Sequence, residues 1–471
     1  MVQSQAATFA GVCGNILEWY DFSLFGYFSD VVGVVFFPPS DQAAISSTGE
    51  YYDDNLLKSF AVYGGAFLMR PFGGIIIGFL GDKYGRKYAL VLSLFLMAIP
   101  TFVMGCLPTY EQVGPLSTVL LVLCRLLQGM SVGGQLPASL VYTVEMKDRK
   151  HWGYYGSLVM AAANVGTLLG NLVGAFLRTI LTNEQLYSWG WRIPFLSGIF
   201  IAFVAAFLKA HGEEHHPNEG EYDQEESQES LGQSKHPVRE ALRKENRAAL
   251  ISATLTPMLW GAGFYLTFVW MAIFMNDLLD PAIPNAFWIN ALAMLFGVTI
   301  PLPFVGMLSD KCGRLKTMVT GAIGVGVFGP LCLFVITQGQ PARAFFAQWF
   351  LGLMLAIFGG PISAWLVEKF PVKVRATSLS LGYDIAHCTA SAFSPLLATY
   401  LVQRVSPSAP GAMYSLFAVL AMIGMLVSTK IHQDGCLEDG SSPPVTEMAA
   451  DEAGKDDYDY DEEEETEREV V

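Results

Sequence analysis

Four charged side chains lie inside long apolar stretches in the first third of the chain. Glu18 and Asp21 are three residues apart, so they share one face of a helix. Arg70 and Arg125 fall in two later apolar runs, at similar distances from the ends of those runs. A charge at membrane depth is costly, so such groups face a cavity or pair with one another. The pattern predicts one buried network of two carboxylates and two guanidinium groups.

A carboxylate in such a network can take up and release a proton if its surroundings alternate. Glu18 and Asp21 are the first candidates for proton coupling, and Asp384 in a later apolar run is the third. His387 follows Asp384 by three residues, so these two could form a second titrating pair, with a structural hydrogen bond as the equal alternative. For the whole network, the alternative is a permanent structural ion pair.

The composition is that of a membrane protein. Hydrophobic residues make up 52 % of the chain, charged residues 15 %, and the mean hydropathy is +0.39, whereas soluble domains have about 25 % charged residues. The net charge of −15 arises in two segments, because residues 213–229 hold eight acids and residues 434–471 hold sixteen acids and two bases. The remainder is mildly basic, and no nucleic-acid partner is indicated.

About 20 apolar residues cross a bilayer as a helix, and irregular backbone cannot face lipid. Twelve helical spans are predicted: 9–37, 56–80, 87–108, 116–141, 152–179, 191–210, 248–275, 285–308, 315–337, 342–368, 374–403 and 411–431. Lysine and arginine concentrate in one set of short loops, which places those loops and both termini on the cytoplasmic side.

A basic loop motif occurs twice, about half the chain apart. Residues 78–87 read Gly-Phe-Leu-Gly-Asp-Lys-Tyr-Gly-Arg-Lys, and residues 306–314 read Gly-Met-Leu-Ser-Asp-Lys-Cys-Gly-Arg. Such a repeat indicates two copies of one fold unit. The motif resembles the loop signature of the major facilitator superfamily, between the second and third helices of each half. The resemblance implies an all-α membrane protein of twelve transmembrane helices in two pseudo-symmetric six-helix halves.

The predicted organisation has four parts. They are a first six-helix bundle (1–210), a cytoplasmic linker (211–247), a second bundle (248–432) and a disordered acidic cytoplasmic tail (433–471). The tail lacks apolar content, and its composition is typical of a solvated segment.

Further segments resemble the metabolite:proton symporter family within this superfamily. They are residues 15–22 (Asn-Ile-Leu-Glu-Trp-Tyr-Asp-Phe), 70–74 (Arg-Pro-Phe-Gly-Gly), 125–134 (Arg-Leu-Leu-Gln-Gly-Met-Ser-Val-Gly-Gly), 190–195 and 370–375. The resemblance covers almost the whole membrane body and implies transport of a small polar metabolite with protons. One departure is Gln135, where the family usually has glutamate. An amide cannot titrate, so proton coupling would rest on Glu18 and Asp21.

A guanidinium group pairs with a carboxylate through two parallel hydrogen bonds. Arg125 is therefore the first candidate to bind a substrate anion, and Arg70 is the second. The other predicted substrate contacts are amides, namely Gln128, Gln135, Asn164 and Gln348. Aromatic residues of the second half, such as Tyr265 and Tyr383, are more typical of packing than of ligand contact.

The loop motif also implies a set of gating residues. By the family resemblance, they form cytoplasmic ion pairs that hold the halves together when the outside is open. The set is Asp82, Arg86, Glu145, Asp310, Arg314, Glu368 and Arg375. Rocking of the halves about a site at the membrane midplane is the general mechanism of such folds.

These features favour proton-coupled symport of a small organic acid or zwitterionic osmolyte by alternating access. The alternatives are a proton-independent facilitator for a sugar or anion, and a metabolite sensor that does not transport. We expect no enzyme activity, no metal and no cofactor, because catalytic and metal-binding spacings are missing from the sequence. We also expect a monomer in the plasma membrane, with the proton as coupling ion.

Overall fold

A computed structural model describes residues 2–38, 54–84, 86–133, 135–145, 147–200, 202–203, 246–370 and 375–438. Within these ranges the chain is helical and contains no β-strand. Residues up to 203 are called the N-terminal half below, and residues from 246 the C-terminal half. Of the linker predicted over 211–247, residues 211–245 lie outside the described residues.

The N-terminal half begins with a long apolar helix, which is followed after Phe28 by a short one. Its helices are α1 (Val2–Tyr27), α2 (Ser29–Phe36), α3 (Asp54–Leu68), α4 (Arg70–Tyr84), α5 (Arg86–Cys106), α6 (Tyr110–Val113), α7 (Pro115–Val132), α8 (Gln135–Glu145), α9 (Trp152–Ile180), α10 (Asn183–Gln185) and α11 (Arg192–Leu196). A 3₁₀ turn, Arg149–His151, precedes α9, and a π-helical turn, Leu186–Gly190, precedes α11.

The C-terminal half interrupts its helices with π-helical turns. Its α-helices are α12 (Arg247–Phe264), α13 (Met271–Ile273), α14 (Ala286–Met294), α15 (Pro301–Cys312), α16 (Arg314–Ile336), α17 (Pro341–Gly359), α18 (Ile362–Glu368), α19 (Arg375–Ala386), α20 (Ala392–Arg404) and α21 (Gly411–Glu438). The π-helical turns are Tyr265–Trp270, Phe274–Leu278, Leu295–Thr299 and His387–Ser391. Such turns are rare and are often found at functional sites.

Eight helical segments in the described ranges are long and apolar enough to cross a membrane. They are Asp54–Ile77, Pro115–Val132, Arg149–Ile180, Arg247–Leu278, Ala286–Cys312, Arg314–Ile336, Pro341–Glu368 and Thr377–Arg404. Two shorter apolar helices, Val91–Cys106 and Gly411–Val427, match the third and twelfth predicted spans. The helical, all-α fold class is confirmed.

The span predicted over 116–141 is wrong as a single helix. Helix α7 ends at Val132, and α8 begins at Gln135. Gly133 between them has extended backbone, with φ −67° and ψ 121°. Glycine is a poor helix former. At Gly133, moreover, an added Cβ would collide with the backbone of Arg70, so the break coincides with a close helix–helix approach.

The two halves meet along pairs of helices. Helix α9 packs along α14 and α15, α3 packs against α20, and α1 contacts the π-helical turn Tyr265–Trp270. Small residues allow this approach, since a Cβ added at Gly153 would lie 2.6 Å from the carbonyl oxygen of Gly306. Close backbone contact through small residues is the usual way in which membrane helices associate.

Contacts divide the chain into two units, Met1–Ser428 and Thr429–Val471. All interactions described below lie within the first unit. In the second unit, α21 continues to Glu438, beyond residue 432 where the predicted second bundle ends. The remainder of the predicted acidic tail lies outside the described residues.

Candidate functional site

A small cavity lies between the two halves. Its volume is about 10 Å³ for a water-sized sphere, which is close to the space that one water molecule needs. The lining is mostly aromatic: Trp19, Leu136, Met160, Ala163, Asn164, Trp260, Gly261, Phe264, Tyr265, Tyr383 and His387. The first five of these eleven residues come from the N-terminal half, and the other six come from the C-terminal half. The structure is therefore closed around this cavity.

Several polar groups of the cavity wall are buried without a hydrogen-bond partner. Among the described residues, the Trp19 indole N–H, the Asn164 side-chain amide and the Tyr383 hydroxyl have no partner. All three side chains are more than nine-tenths buried. A buried polar group without a partner costs about 1–3 kcal/mol, so each of these groups favours a polar ligand. Of the predicted substrate contacts, Asn164 therefore does line the cavity.

An ion pair joins the two halves next to this cavity. The Nη2 atom of Arg70 in α4 lies 3.2 Å from Oδ1 of Asp384 in α19, and Nε donates to the same oxygen at 3.3 Å. Arg70 is fully buried and Asp384 is 2 % exposed. Asp384 directly follows Tyr383, a residue of the cavity wall. The predicted network within the N-terminal half is wrong for Arg70, because its partner comes from the other half.

Glu18 lies beside this ion pair. Its carboxylate is 2 % exposed, and within the described part of the chain neither oxygen has a hydrogen-bond partner. Glu18 interacts electrostatically with both Arg70 and Asp384. The next residue, Trp19, belongs to the cavity wall. The site thus holds two carboxylates, Glu18 from the N-terminal half and Asp384 from the C-terminal half. The guanidinium group of Arg70 contacts only Asp384.

Asp21 and Arg125 belong to a separate hydrogen-bonded chain inside the N-terminal half. Arg125 Nη1 donates to Gln128 Oε1 at 2.9 Å, and Gln128 Nε2 donates to Thr101 Oγ1 at 2.5 Å. Thr101 Oγ1 in turn donates to Asp21 Oδ2. Sequence reasoning missed Thr101, which together with Gln128 links the predicted proton carrier Asp21 to the predicted anion-binding residue Arg125. A threonine in an apolar run gives too common a signal to be singled out.

Arg125 is packed among aromatic rings rather than facing the cavity. Its guanidinium carbon lies 4.3 Å from the centre of the Phe25 ring, 4.8 Å from that of Phe22 and 5.3 Å from that of Tyr63. A cation over aromatic faces is stabilised by about 0.5–2 kcal/mol per ring. Arg125 and its partner Gln128 are not among the residues that line the cavity.

Asp384 and His387 bond to different partners instead of to each other, which argues against the possible titrating pair and against its alternative, a structural hydrogen bond between them. Asp384 pairs with Arg70, whereas His387 Nδ1 lies 3.0 Å from the carbonyl oxygen of Tyr383. The imidazole stacks on the Tyr383 ring with centroids 4.1 Å apart. The two residues are three positions apart, but a π-helical turn starts at His387 and changes the local periodicity.

Gln348 serves the packing of the C-terminal half. Its side-chain amide donates to the carbonyl oxygen of Thr267 at 2.6 Å and to Oδ1 of Asn290. It does not line the cavity. Gln135 begins α8, but its side chain lies outside the part of the chain that the structure describes.

A cluster of charged residues closes the end of the halves that carries the loop motif. Asp310 accepts hydrogen bonds from the backbone N–H groups of Gly153 at 2.9 Å and Tyr154 at 3.0 Å, at the start of α9. The positive end of a helix dipole favours a carboxylate there. Arg314 Nη2 lies 3.1 Å from Asp310 and donates to the carbonyl oxygen of Arg149 at 3.2 Å.

Glu368 completes this cluster, because it pairs with Arg314 and lies 3.6 Å from Nε of Arg149. Three of the predicted gating residues therefore meet, and they contact α9 and its preceding turn in the other half. Arg375 donates to the carbonyl oxygen of Phe370 at 3.0 Å. Nearby, burial lowers the pKa of Lys369. The side chains of Asp82, Arg86 and Glu145 lie outside the described residues.

The opposite end of the halves carries a second contact, which the sequence analysis did not select. Arg178 Nη2 donates to Asp30 Oδ1 at 2.8 Å and to the carbonyl oxygen of Tyr27 at 3.0 Å. Its guanidinium carbon lies 4.3 Å from the ring centre of Phe287 in the other half. Asp30 is an acid inside the first predicted span, so the cost of a charge at membrane depth was the signal that could have found it.

The chain belongs to the major facilitator superfamily. The family model with that description matches residues 43–303 and 286–435, which together span most of the chain. With its apolar helices, the protein is therefore a multi-pass membrane protein, as the loop motif predicted.

Among curated relatives, the chain is 28 % identical over 427 residues to the proline/betaine transporter of Salmonella typhimurium. The match covers 90 % of this chain and 82 % of the relative. The proline/betaine transporter of Escherichia coli K12 is 27 % identical over the same length. A putative proline/betaine transporter of Staphylococcus aureus is 28 % identical over 420 residues, which cover 89 % of this chain and 86 % of the relative.

Solved structures of the xylose transporter XylE from E. coli have the same fold. A partially occluded inward-open structure matches with a TM-score of 0.66 at 19 % identity, over 90 % of this chain and 96 % of the other. A double-tryptophan mutant of XylE matches with a TM-score of 0.69 at 18 % identity, over 90 % and 95 % of the two chains. At this identity, the likeness concerns the fold.

Proposed function

We propose that the protein is a secondary active transporter that carries a small organic acid or zwitterionic osmolyte together with protons by alternating access. The observation that carries this proposal is the buried Arg70–Asp384 ion pair between the halves, with Glu18 beside it. An intramembrane ionisable group is a functional candidate by default. Here three such groups converge where the halves separate.

The proposed coupling uses a change of partner. When Asp384 binds Arg70, the two halves are joined and the second carboxylate, Glu18, has no direct hydrogen bond. A proton on Asp384 would weaken its attraction to Arg70, and Arg70 would then turn to Glu18 in its own half. Protonation would thus change the free energy of the contact between the halves, which is what alternating access requires.

The cavity wall and the relatives support a small zwitterionic or anionic substrate. Trp19, Asn164 and Tyr383 offer hydrogen-bond donors suited to a carboxylate. Aromatic rings such as Trp260 and Phe264 suit the cationic or apolar part of a small zwitterion. Proline and betaine, named for the relatives, have both features. Arg70 is the proposed anion clamp when Asp384 is released and Glu18, its alternative partner, holds a proton.

The remaining assignments are part of the same proposal. Asp21 stays a candidate for proton coupling, through its link to Arg125 and Gln128, while Gln135 and Gln348 stay weaker substrate candidates. The cluster of Asp310, Arg314 and Glu368 is the proposed cytoplasmic gate, to which Asp82, Arg86, Glu145 and Arg375 would contribute. The protein would act as a monomer in the plasma membrane, with cytoplasmic termini and the proton as coupling ion. The two bundles of 1–210 and 248–432 would be the moving bodies.

Uptake into proteoliposomes tests this function. Labelled proline, betaine, 2-oxoglutarate, shikimate and citrate are offered with and without an inward proton gradient. We expect at least one of them to accumulate above its external concentration, and this accumulation to collapse with a protonophore. Equilibration that ignores the gradient would make the protein a facilitator. Binding without uptake would make it a sensor, and either result would contradict symport.

A further inference from the structure

One side of the cavity presents hydrogen-bond acceptors instead of donors. His387 Nδ1 faces the Tyr383 carbonyl oxygen at 3.0 Å. A carbonyl oxygen only accepts, so Nδ1 carries the proton in the neutral ring, and Nε2 is left with a free lone pair. His387 lines the cavity. The orientation of its acceptor is therefore fixed by the backbone of its own helix.

Ser391 adds a second polar group at the same place. Its hydroxyl has no hydrogen-bond partner within the described part of the chain, although the side chain is fully buried. His387 and Ser391 are the first and last residues of one π-helical turn. Buried polar groups without partners are rare in folded proteins, and each one points to a missing ligand or water.

Gly261 provides the space that these two groups face. A Cβ added at this glycine would lie 3.4 Å from His387 Nε2 and would collide with the Ser391 hydroxyl. Gly261 itself lines the cavity. Any larger residue at this position would therefore fill the space between the two acceptors and the cavity.

We propose that His387 and Ser391 form an acceptor subsite that binds the N–H groups of the substrate's cationic nitrogen. This inference rests on the proposed function and makes it more specific. The substrate class becomes zwitterions with a primary or secondary ammonium group, such as an imino acid. A quaternary ammonium group has no N–H to donate, so it would leave both acceptors without a partner. Sites built around hydrogen bonds discriminate strongly against analogues that lack the donor.

A methylation series of one substrate tests the subsite. L-Proline, N-methylproline and N,N-dimethylproline carry two, one and no N–H groups on the same ring. Binding is measured by calorimetry on the purified full chain, and uptake is measured in proteoliposomes. We expect affinity to fall by roughly tenfold for each N–H group removed, the size of one unmade buried hydrogen bond.

Two variants test whether the preference for substrates with N–H groups depends on His387 and on the space at Gly261. His387→Phe keeps an aromatic ring against Tyr383 but removes Nε2, and Gly261→Ala keeps His387 but fills the space before it. Both should reduce the preference for proline over N,N-dimethylproline at least tenfold. Thr389→Val is the matched control, because Thr389 lies on the same π-helical turn, is exposed and bonds only to backbone oxygens of its own helix. It should keep the wild-type ranking.

The outcomes separate the two proposals. Equal binding of the three compounds to the wild type, or an unchanged ranking in both His387→Phe and Gly261→Ala, would overturn the acceptor subsite and leave symport standing. The expected ranking in binding without any uptake would contradict symport and leave the subsite standing. Binding of none of the three compounds would overturn the subsite.

Discussion

At the scale of single residues, the three charged groups at the cavity differ in what holds them. Arg70 is fully buried and contacts Asp384 with two nitrogens. Glu18 is equally buried but has no hydrogen bond to any described residue. A buried charge is tolerated in the membrane when it is paired, so an unpaired carboxylate next to a paired one is suited to hold a proton.

We predict that Glu18→Gln abolishes proton-driven accumulation but keeps exchange of substrate across the membrane. The amide has the same size as the carboxylic acid but cannot release a proton, so conformational change would continue without coupling. Counterflow and gradient-driven uptake in proteoliposomes measure the two activities separately. Glu184→Gln, at an exposed glutamate in α10, is the control and should behave like the wild type. Normal accumulation by Glu18→Gln would remove Glu18 from the coupling mechanism.

We predict that Asp384→Asn is more harmful than removal of both charges of the ion pair. It leaves the Arg70 guanidinium buried without a counter-charge, which costs about 3–5 kcal/mol. The double variant Arg70→Gln/Asp384→Asn has no buried unpaired charge and should regain most of the lost thermal stability, but not transport. Thermal unfolding in detergent gives the comparison. Additive losses in the double variant would show that the two residues do not act as a pair.

At the scale of helices, the N-terminal half depends on direct backbone contact. At Gly129 in α7, an added Cβ would collide with the backbone of Ala66 in α3. This contact holds together α3, which carries Tyr63, and α7, which carries the Arg125 side chain that packs on the Tyr63 ring. Interiors of this density tolerate very little added volume.

We predict that Gly129→Ala lowers the free energy of unfolding by about 1–3 kcal/mol, because overpacking forces two helix backbones apart. Gly65→Ala is the control, since a Cβ at Gly65 in α3 would have no atom within 4 Å. It should be neutral or slightly stabilising, as alanine is the better helix former. Equal thermal stability of both variants would show that α3 and α7 do not touch as closely as described.

Helix positions were well predicted from the sequence, whereas partners were not. Apolar length alone located spans such as 152–179, observed as Trp152–Ile180, and 315–337, observed as Arg314–Ile336. Arg70 was correctly expected to pair with a buried acid, but four acids in the interior of the predicted spans satisfied the same rule: Glu18, Asp21, Asp30 and Asp384. The acid that Arg70 meets depends on the packing of α4 against α19. Arg70 and Asp384 are 314 positions apart in the sequence, and no local pattern carries information about such a contact.

The residues of the candidate site could be selected from the sequence, but the directions of their side chains could not. Glu18, Asp384 and Asn164 were selected because polar groups inside spans are costly, and all three lie at or beside the cavity. Gln348 satisfied the same criterion but packs within its own half. The helix break at Gly133 and the π-helical turn at His387 shift side chains off the regular helical period. Periodicity could therefore not give their directions.

At the scale of the whole molecule, the two halves are joined at both ends of the cavity. At one end, Asp310, Arg314 and Glu368 contact the start of α9 and the turn before it in the N-terminal half. At the other end, Arg178 contacts Phe287. Alternating access requires that each contact be broken in turn, so the relative strength of the two contacts determines which side opens. The Arg314 and Glu368 side chains are 15 % and 18 % exposed and that of Arg178 is 13 % exposed, so water reaches both contacts.

We predict that Glu368→Gln favours opening at the loop-motif end. Of the two ion pairs of Glu368, only the one with Arg149 crosses between the halves, and Arg149 is 74 % exposed. Loss of such a pair costs at most about 1 kcal/mol, which changes the population of open and closed forms up to about fivefold. Electron paramagnetic resonance distances between nitroxides at the exposed positions 151 and 316 measure the separation. Asp148→Asn removes an ion pair that is more than half exposed, and this control should leave the distances unchanged. Unchanged distances in Glu368→Gln would contradict a gating role.

The most direct test of the account is proton movement driven by substrate. Proteoliposomes loaded with a pH-sensitive dye are held without a pH gradient, and the best substrate from the uptake screen is added outside. The account predicts acidification of the lumen by the wild-type protein and none by Glu18→Gln, although both variants admit substrate. Substrate entry through the wild-type protein without any change in internal pH would contradict proton coupling and would make the buried Glu18, Arg70 and Asp384 structural groups.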